Sequence, residues 1–502
     1  IDFFNIEGSS TIRRTKWIGL FFHTLTITDH EPSWMMRRAL LIESELNKNN
    51  YKLICFTPAN VNLNEKTVTG YMIDNGQFKK IYMPVPKIIC EFYFGTTDIE
   101  IYRQFTTWAL EKKYHIYPNR AISQLAADKL LTAEQLSEYD MSVVPKTEAY
   151  KEDIEQIDIF LQKNNKVFVK PRFGNMGNGI FVLKNEDNRY IITYYNKGKS
   201  DTVIFNTLSD CIFYISKNSE NRKYIIQEAI NVLKFSNSVF DLRVIMFNDE
   251  KSWHFLSEVR LGKISKELSN IHQGGKTYFT DEFFNKVFGK EHADYVLQKI
   301  KNTSTDIMNF LNNQYDGVIN ELALDILIDK NDNMYVSELN TKPGLIGDPD
   351  AYNKLQLTTD EKEKLQGLAI MHGKFLAKSL IHQERLNSMN NLENIDKNKE
   401  EKIDLNVHNE NKNDDPPSNY IGMIYQERDE SERKYIYGYM YQGFALEREL
   451  VKHNYHLFCY STSFVDKNKR TADGFVIKNG KFVPITLPIP KLNFDYHFRS
   501  AT

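Results

Sequence analysis

Across 502 residues, 64 basic side chains nearly balance 66 acidic ones, a formal net charge of −2 that offers no excess for nucleic acid or an anionic membrane. The hydrophobic share of 41% is ordinary for a globular chain, the length suits about three or four domains, and no apolar run reaches the ~18–20 residues that span a bilayer. Cys55, Cys90, Cys211 and Cys459 have neither CxxC nor zinc-site spacing, which suits reduced thiols in the cytoplasm, and no stretch reads as a signal peptide.

In chain order, Trp17–Phe22 predicts a buried strand, Met35–Lys48 an amphipathic helix and Tyr51–Phe56 a second strand. Asn75-Gly76 marks a tight hairpin turn, and Pro84 and Pro86 close that unit before a further strand. Strand–helix–strand alternation implies a parallel α/β sheet. The unit recurs: Ile42 to Phe94 aligns without a gap with Leu446 to Phe498. Glu43, Tyr51, Cys55, Gly70, Phe78 and Lys87 fall on Glu447, Tyr455, Cys459, Gly474, Phe482 and Lys491. After one gap, Ile18-Gly19-Leu20 falls on Ile421-Gly422-Met423. So many identities in one register mean a duplicated domain. Thr502 stands where the first copy would pass into its connecting helix, so the chain reads as a piece of a longer tandem protein.

The middle section holds the chemistry. Val167–Lys170 is strand-like and is closed by Pro171; Ile180–Lys184 is strand again. Between them Gly174, Asn175, Gly177 and Gly179 make a hairpin tip whose backbone N–H groups can approach an anion, with Lys170 at its base. The bland alternative is a mobile surface hairpin. Tyr224–Ile230 reads as a strand entering a polar hinge, Asp241-Leu242-Arg243 opens a strand with an acid and a base on one face, and Arg260 is a second candidate cation. Leu322–Ile328 and Met334–Leu339 flank the polar turn 329–333. A turn centred on Asn331-Asp332 sets Asp325 across from Glu338, with Asn340 on the same face. Opposed carboxylates repel, so a cation is expected between them. Two carboxylates and an amide suit Mg²⁺; the competing reading is an ion pair with a nearby Lys or Arg. A helix is expected over Asp360–Leu386, and the Asn-, Lys- and Glu-rich stretch 387–419 reads as a disordered linker.

The order of these motifs resembles the ATP-grasp superfamily and, within it, the YheC/YheD family, named for endospore coat association. The matching pieces are Asp128-Lys129, Val169-Lys170-Pro171, the glycine loop, Gln227-Glu228, Asp241-Leu242-Arg243, the stretch from Asn270 to Gly275, and Asp325 with Glu338-Leu339-Asn340. The resemblance implies an α/β fold: a Rossmann-like pre-ATP-grasp domain over 1–118, and an ATP-grasp domain of two α+β lobes over 119–386, the smaller ending near 230. The linker 387–419 and a truncated second copy of the first domain over 420–502 follow.

It further implies ATP held by Lys129, Lys170 and the glycine loop, with the hinge Gln227, Glu228, Ala229 and Ile230 framing adenine. Glu228 or Asp241 would lie near the ribose, and Asn270 would line the site. Asp325, Glu338 and Asn340 would bind one or two Mg²⁺ ions, or Mn²⁺, while Arg243, Lys170 and Arg260 act on the transferred phosphoryl group. The implied activity joins a small-molecule or peptide carboxylate to an amine or thiol through an acylphosphate. Alternatives are an ATP-binding spore-coat assembly protein without turnover and a phosphotransferase. Leu268 and Gln273 stand where some peptide-ligating relatives carry arginine, so no particular substrate carries over. A cytoplasmic or spore-coat-associated protein is expected, with coat proteins or a second copy of itself as protein partners and neither nucleic acid nor membrane.

Overall fold

Fully buried Ile18, Leu20, Leu53 and Cys55 alternate with equally buried Phe21, Ile54 and Phe56, so the first sheet needs cover on both faces. A computed structural model of the chain supplies it. The structure describes residues 4–5, 16–23, 34–92 except 75, 99–263 except 175–176, 188, 221 and 250, 275–344 except 316–318, 358–404, 420–425, 456–466, 471–478, 481–488 and 492–495. The chain divides into two compact units, Ile1–Glu393 and Asn394–Thr502.

In the first unit, Lys16–Phe22 pairs in parallel with Tyr51–Phe56 on one side and with Ile88–Phe92 on the other, and His115–Tyr117 extends the parallel set. The antiparallel hairpin Thr67–Asp74 and Gln77–Pro84 flanks the opposite side. Helix Trp34–Lys48 buries Ala39, Ile42 and Leu46 against Ile18 and Leu20, while helix Ile99–Glu111 buries Phe105 and Ala109 against Phe21 and Phe56. Gly70 is needed because a Cβ there would lie 2.7 Å from the Cys55 carbonyl oxygen.

Two antiparallel sheets follow. The six-stranded sheet over residues 147–228 has Lys166–Pro171 between Ile180–Glu186 and Tyr224–Glu228, with helices Ile154–Asn164 and Leu208–Asn218 on one face. The other sheet runs Lys276–Phe279, Trp253–Leu261, Ser238–Asn248, Glu321–Ile328, Met334–Asn340. Its apolar face, with Leu242, Val244, Val259 and Leu324, packs on helices Thr280–Phe288 and Lys290–Gln314.

The helix expected over 360–386 runs from Thr359 to Asp404, so the first part of the stretch read as disordered linker is helical. Low hydrophobicity suggested disorder, but no Pro or Gly interrupts residues 387–404, and Glu, Lys and Leu extend a helix already nucleated and packed. Residues 405–419 lie outside those described. No helix among the described residues is long and apolar enough to cross a membrane.

In the second unit, Tyr420–Tyr425 pairs in parallel with His456–Asp466 and Leu492–Asp495, and Thr471–Lys478 forms a hairpin with Lys481–Pro488. Registers coincide with those of the first sheet. Leu20 faces Cys55 and Cys90 as Met423 faces Cys459 and Phe494; Gly70 faces Ile81 as Gly474 faces Ile485.

Candidate functional site

Period-two alternation divides Ser238–Asn248 and its neighbours into an apolar face and a face that carries Asp241, Arg243, Glu258, Arg260, Asp325 and Glu338. Arg243 lies in register between Glu258 and Asp325, and Asp325 lies opposite Glu338. That last pairing, expected from the turn, depends on a bulge. Ile328 pairs with Met334 and Ile326 with Val336; Ser337 is the extra residue, its hydroxyl donating to the Asp325 carbonyl at 3.1 Å. Without the bulge, Asp325 would oppose Ser337 and Glu338 would turn to the other face.

The cations facing these carboxylates are side chains. Arg243 grips Asp325 with Nε and one terminal nitrogen at 2.5 and 3.0 Å, and Arg260 adds a contact at 2.9 Å. Arg260 also binds both oxygens of Asp241, at 2.6 and 2.8 Å. Burial alone would push Asp325 up, but the two guanidinium groups hold it well below the usual carboxylate range. Asn340 donates to Asp325 Oδ2 at 3.3 Å. Glu338, about a third exposed, has Lys129 Nζ 3.6 Å from Oε1. No group of three or more His, Cys, Asp or Glu among the described residues is arranged to hold a metal; the trio here is two carboxylates and an amide.

Across from this face stands the glycine hairpin. Val167 and Val169 enter the core of the six-stranded sheet, which leaves Phe168 and Lys170 on the side of the site. Lys170 Nζ donates to Gln227 Oε1 at 2.7 Å, and Gln227 donates to Thr147 at 3.0 Å. Burial lowers the Lys170 ammonium to about 8, with Glu338 opposing the shift and Lys129 adding to it. Gly177 and Gly179 have φ of 69° and 77°, and a Cβ on Gly179 would meet Arg222 at 2.8 Å. Lys129 Nζ donates to the Gly174 carbonyl at 2.6 Å. It is held there by Asp128, which caps its helix through the Leu130 and Leu131 N–H groups and takes two hydrogen bonds from Arg172, at 2.8 and 2.7 Å.

Lys129, Lys170, Gly174, Glu338, Asp325, Asn340, Arg243 and Arg260 thus form one connected set. At the hinge, Glu228 pairs with Lys163 at 2.5 Å and the Ala229 carbonyl accepts from Asn164 at 2.7 Å. Asp241 accepts two hydrogen bonds from Arg260. Asn175 and Asn270 lie outside the described residues. Sequence reasoning missed Arg172, Glu258 and Thr277; of these only Arg172 had a local signal, directly after Lys170-Pro171.

Residues 119–364 match a family model described as YheC/D like ATP-grasp. Endospore coat-associated protein YheC of Bacillus subtilis (strain 168) is 23% identical over 322 residues, covering 62% of this chain and 85% of the relative. Endospore coat-associated protein YheD of the same strain is 24% identical over 293 residues, covering 57% of this chain and 62% of its own length. Among solved structures, the D-alanine–D-alanine ligase from Coxiella burnetii is 12% identical, covers 76% of this chain and 99% of its own, and has a TM-score of 0.41. Residues 119–364, just under half of the chain, thus match the YheC/YheD-like ATP-grasp family.

Proposed function

We propose that the protein is an ATP- and Mg²⁺-dependent ligase that joins a carboxylate to an amine or thiol through an acylphosphate. The observation that carries the reading is the place of Lys129: its ammonium touches the glycine hairpin at Gly174 and faces Glu338 on the opposite sheet, at 2.6 and 3.6 Å. A triphosphate lying there would meet a cation, the glycine hairpin and hard oxygen ligands together. Lys129 and Lys170 bind the phosphates, the hairpin excludes water, and the hinge residues Gln227 to Ile230 frame the base.

Magnesium fits the donor set. Glu338 is the carboxylate paired with a lysine rather than with two arginines, Asp325 Oδ1 accepts, among the described residues, from Arg243 alone, and the Asn340 amide can turn its oxygen inward. Bound there, the ion would neutralise charge on the phosphates. Arg243 and Arg260 keep Asp325 ionised and fixed, and Arg243 stands ready to stabilise the transferred phosphoryl group. Residues 420–502 are proposed as a second copy of the pre-ATP-grasp domain, on the strength of the shared registers. The relatives' names support a spore-coat association.

Screening carboxylates with amines or thiols for Mg²⁺-dependent phosphate release, with product masses, tests the ligase reading. An amide or thioester with free phosphate is expected; a phosphorylated product overturns it in favour of a phosphotransferase. Lys170 adds a pH signature. Phosphate binding needs its ammonium form, so binding takes up protons and ATP affinity falls as pH rises above about 8. The fall approaches but does not exceed about tenfold per pH unit. Calorimetry at pH 7, 8 and 9 should show it in the native chain, and weak, flat affinity in Lys170→Met. A flat native profile counts against Lys170.

A further inference from the structure

One carboxylate on the charged face has no ion-pair partner among the described residues. Glu258 stands in register beside Arg243 and is 8% exposed, and its Oε2 is buried without a hydrogen-bond partner among the described residues. The nearby guanidinium groups are committed: Arg243 to Asp325, and Arg260 to Asp241 and Asp325. Thr277, in register with Arg260 and 6% exposed, likewise keeps a buried Oγ1 without a partner. Opposed residues share a face and alternate residues return to it, so Glu258 and Thr277 lie on the side of the site, diagonal to each other. Phe279 is opposite Glu258, and Lys364, whose ammonium lies over that ring, is held by Asp281 and Glu282 at 3.1 and 2.7 Å.

Buried acceptors left open in a native protein call for a ligand or a water. Asp241 and Asp325 are each bonded by a guanidinium group, whereas no described side chain forms an ion pair with Glu258. A hydroxyl ligand would satisfy the acceptors but leave Glu258 without a cation, and one carboxylate with one hydroxyl offers a divalent ion few charged oxygens. A primary ammonium brings three N–H donors and a single positive charge.

We propose that Glu258 and Thr277 bind the primary ammonium group of an amine acceptor, on the opposite side of Arg243 from Glu338 and Asn340. The assignment rests on the ligase reading and narrows it from amine or thiol to amine. It places the acceptor beside the arginine that faces the transferred group. Burial pushes Glu258 up to about 7 against the pull of Arg243 and Arg260, so an arriving cation has ionisation free energy to recover.

The test uses the full chain saturated with AMP-PNP and Mg²⁺ at pH 8, with thermal unfolding followed in methylammonium chloride and in tetramethylammonium chloride at equal ionic strength. Methylammonium is expected to raise the midpoint of the native chain by about 2 °C or more, and to leave Glu258→Gln and Thr277→Val unmoved. Tetramethylammonium, which has no N–H donor, should shift none of them. An equal methylammonium shift in Glu258→Gln, or no shift in the native chain while AMP-PNP still stabilises it, overturns this site alone. If AMP-PNP gives no stabilisation, the ligase reading falls and the site with it.

Discussion

Glu338→Gln is expected to lower Mg²⁺-dependent phosphate release from ATP by about 10²–10³-fold, the scale of losing one preorganised charge contact in a site of this kind. In calorimetry, Mg²⁺ should no longer tighten ADP binding to the variant. The reason lies in the unequal environments of the opposed carboxylates. Asp325 is surrounded by Arg243 and Arg260, whereas the ion pair of Glu338 among the described residues is with Lys129 Nζ, at 3.6 Å. A divalent ion would therefore draw most of its negative charge from Glu338. The same change at Asp325 would be a poor test, because it strips Arg243 of its bidentate partner and Arg260 of one of two, and so costs stability as well as metal. Magnesium that still tightens ADP binding to Glu338→Gln as it does in the native chain would remove the metal assignment.

Arg38→Ala should destabilise the first unit by about 3–5 kcal/mol, the cost of stripping one partner from a buried ion pair. Arg38 is 1% exposed on helix Trp34–Lys48, yet it reaches Glu321 on the strand of Asp325 with one nitrogen 2.9 Å from each carboxylate oxygen. Its other terminal nitrogen donates to the Pro343 carbonyl at 2.9 Å, and its guanidinium lies 4.3 Å from the centre of the Phe92 ring. His372 contacts Glu321 Oε1 at 2.8 Å. The cluster joins the first sheet's helix, the site strand, the segment after Asn340 and the long helix.

Burial and Arg38 lower the His372 pKa against the pull of Glu321, so the native cluster holds it neutral at pH 7 and loses stability as pH falls below the imidazole's unfolded value. Without Arg38, a protonated His372 can neutralise Glu321, so the deficit should shrink towards pH 5.5. Urea midpoints for Arg38→Ala and for Arg38→Met/Glu321→Met decide the matter. The double variant is expected to be the more stable, and a single variant within 1 kcal/mol of native would show the pair to be dispensable.

Signals that neighbours in the chain carry were legible in the sequence. Strand Tyr51–Phe56 was placed to the residue, and the glycine hairpin and the Asp325–Glu338 pairing emerged because a hairpin's register is set beside its own turn. Even there, the bulge at Ser337 was needed to keep Glu338 on the site face, and nothing in the local pattern announced it. Composition misled at 387–404, where helical propensity outweighed low hydrophobicity.

Only the tertiary structure set Arg243 against Asp325 and Arg38 against Glu321, and only it left Glu258 Oε2 and Thr277 Oγ1 without hydrogen-bond partners among the described residues. Those relations join strands and helices far apart in the chain, and which of them meet is decided by how whole sheets bury their apolar faces. Periodicity thus determined which residues share a face; packing decided which charges meet across it.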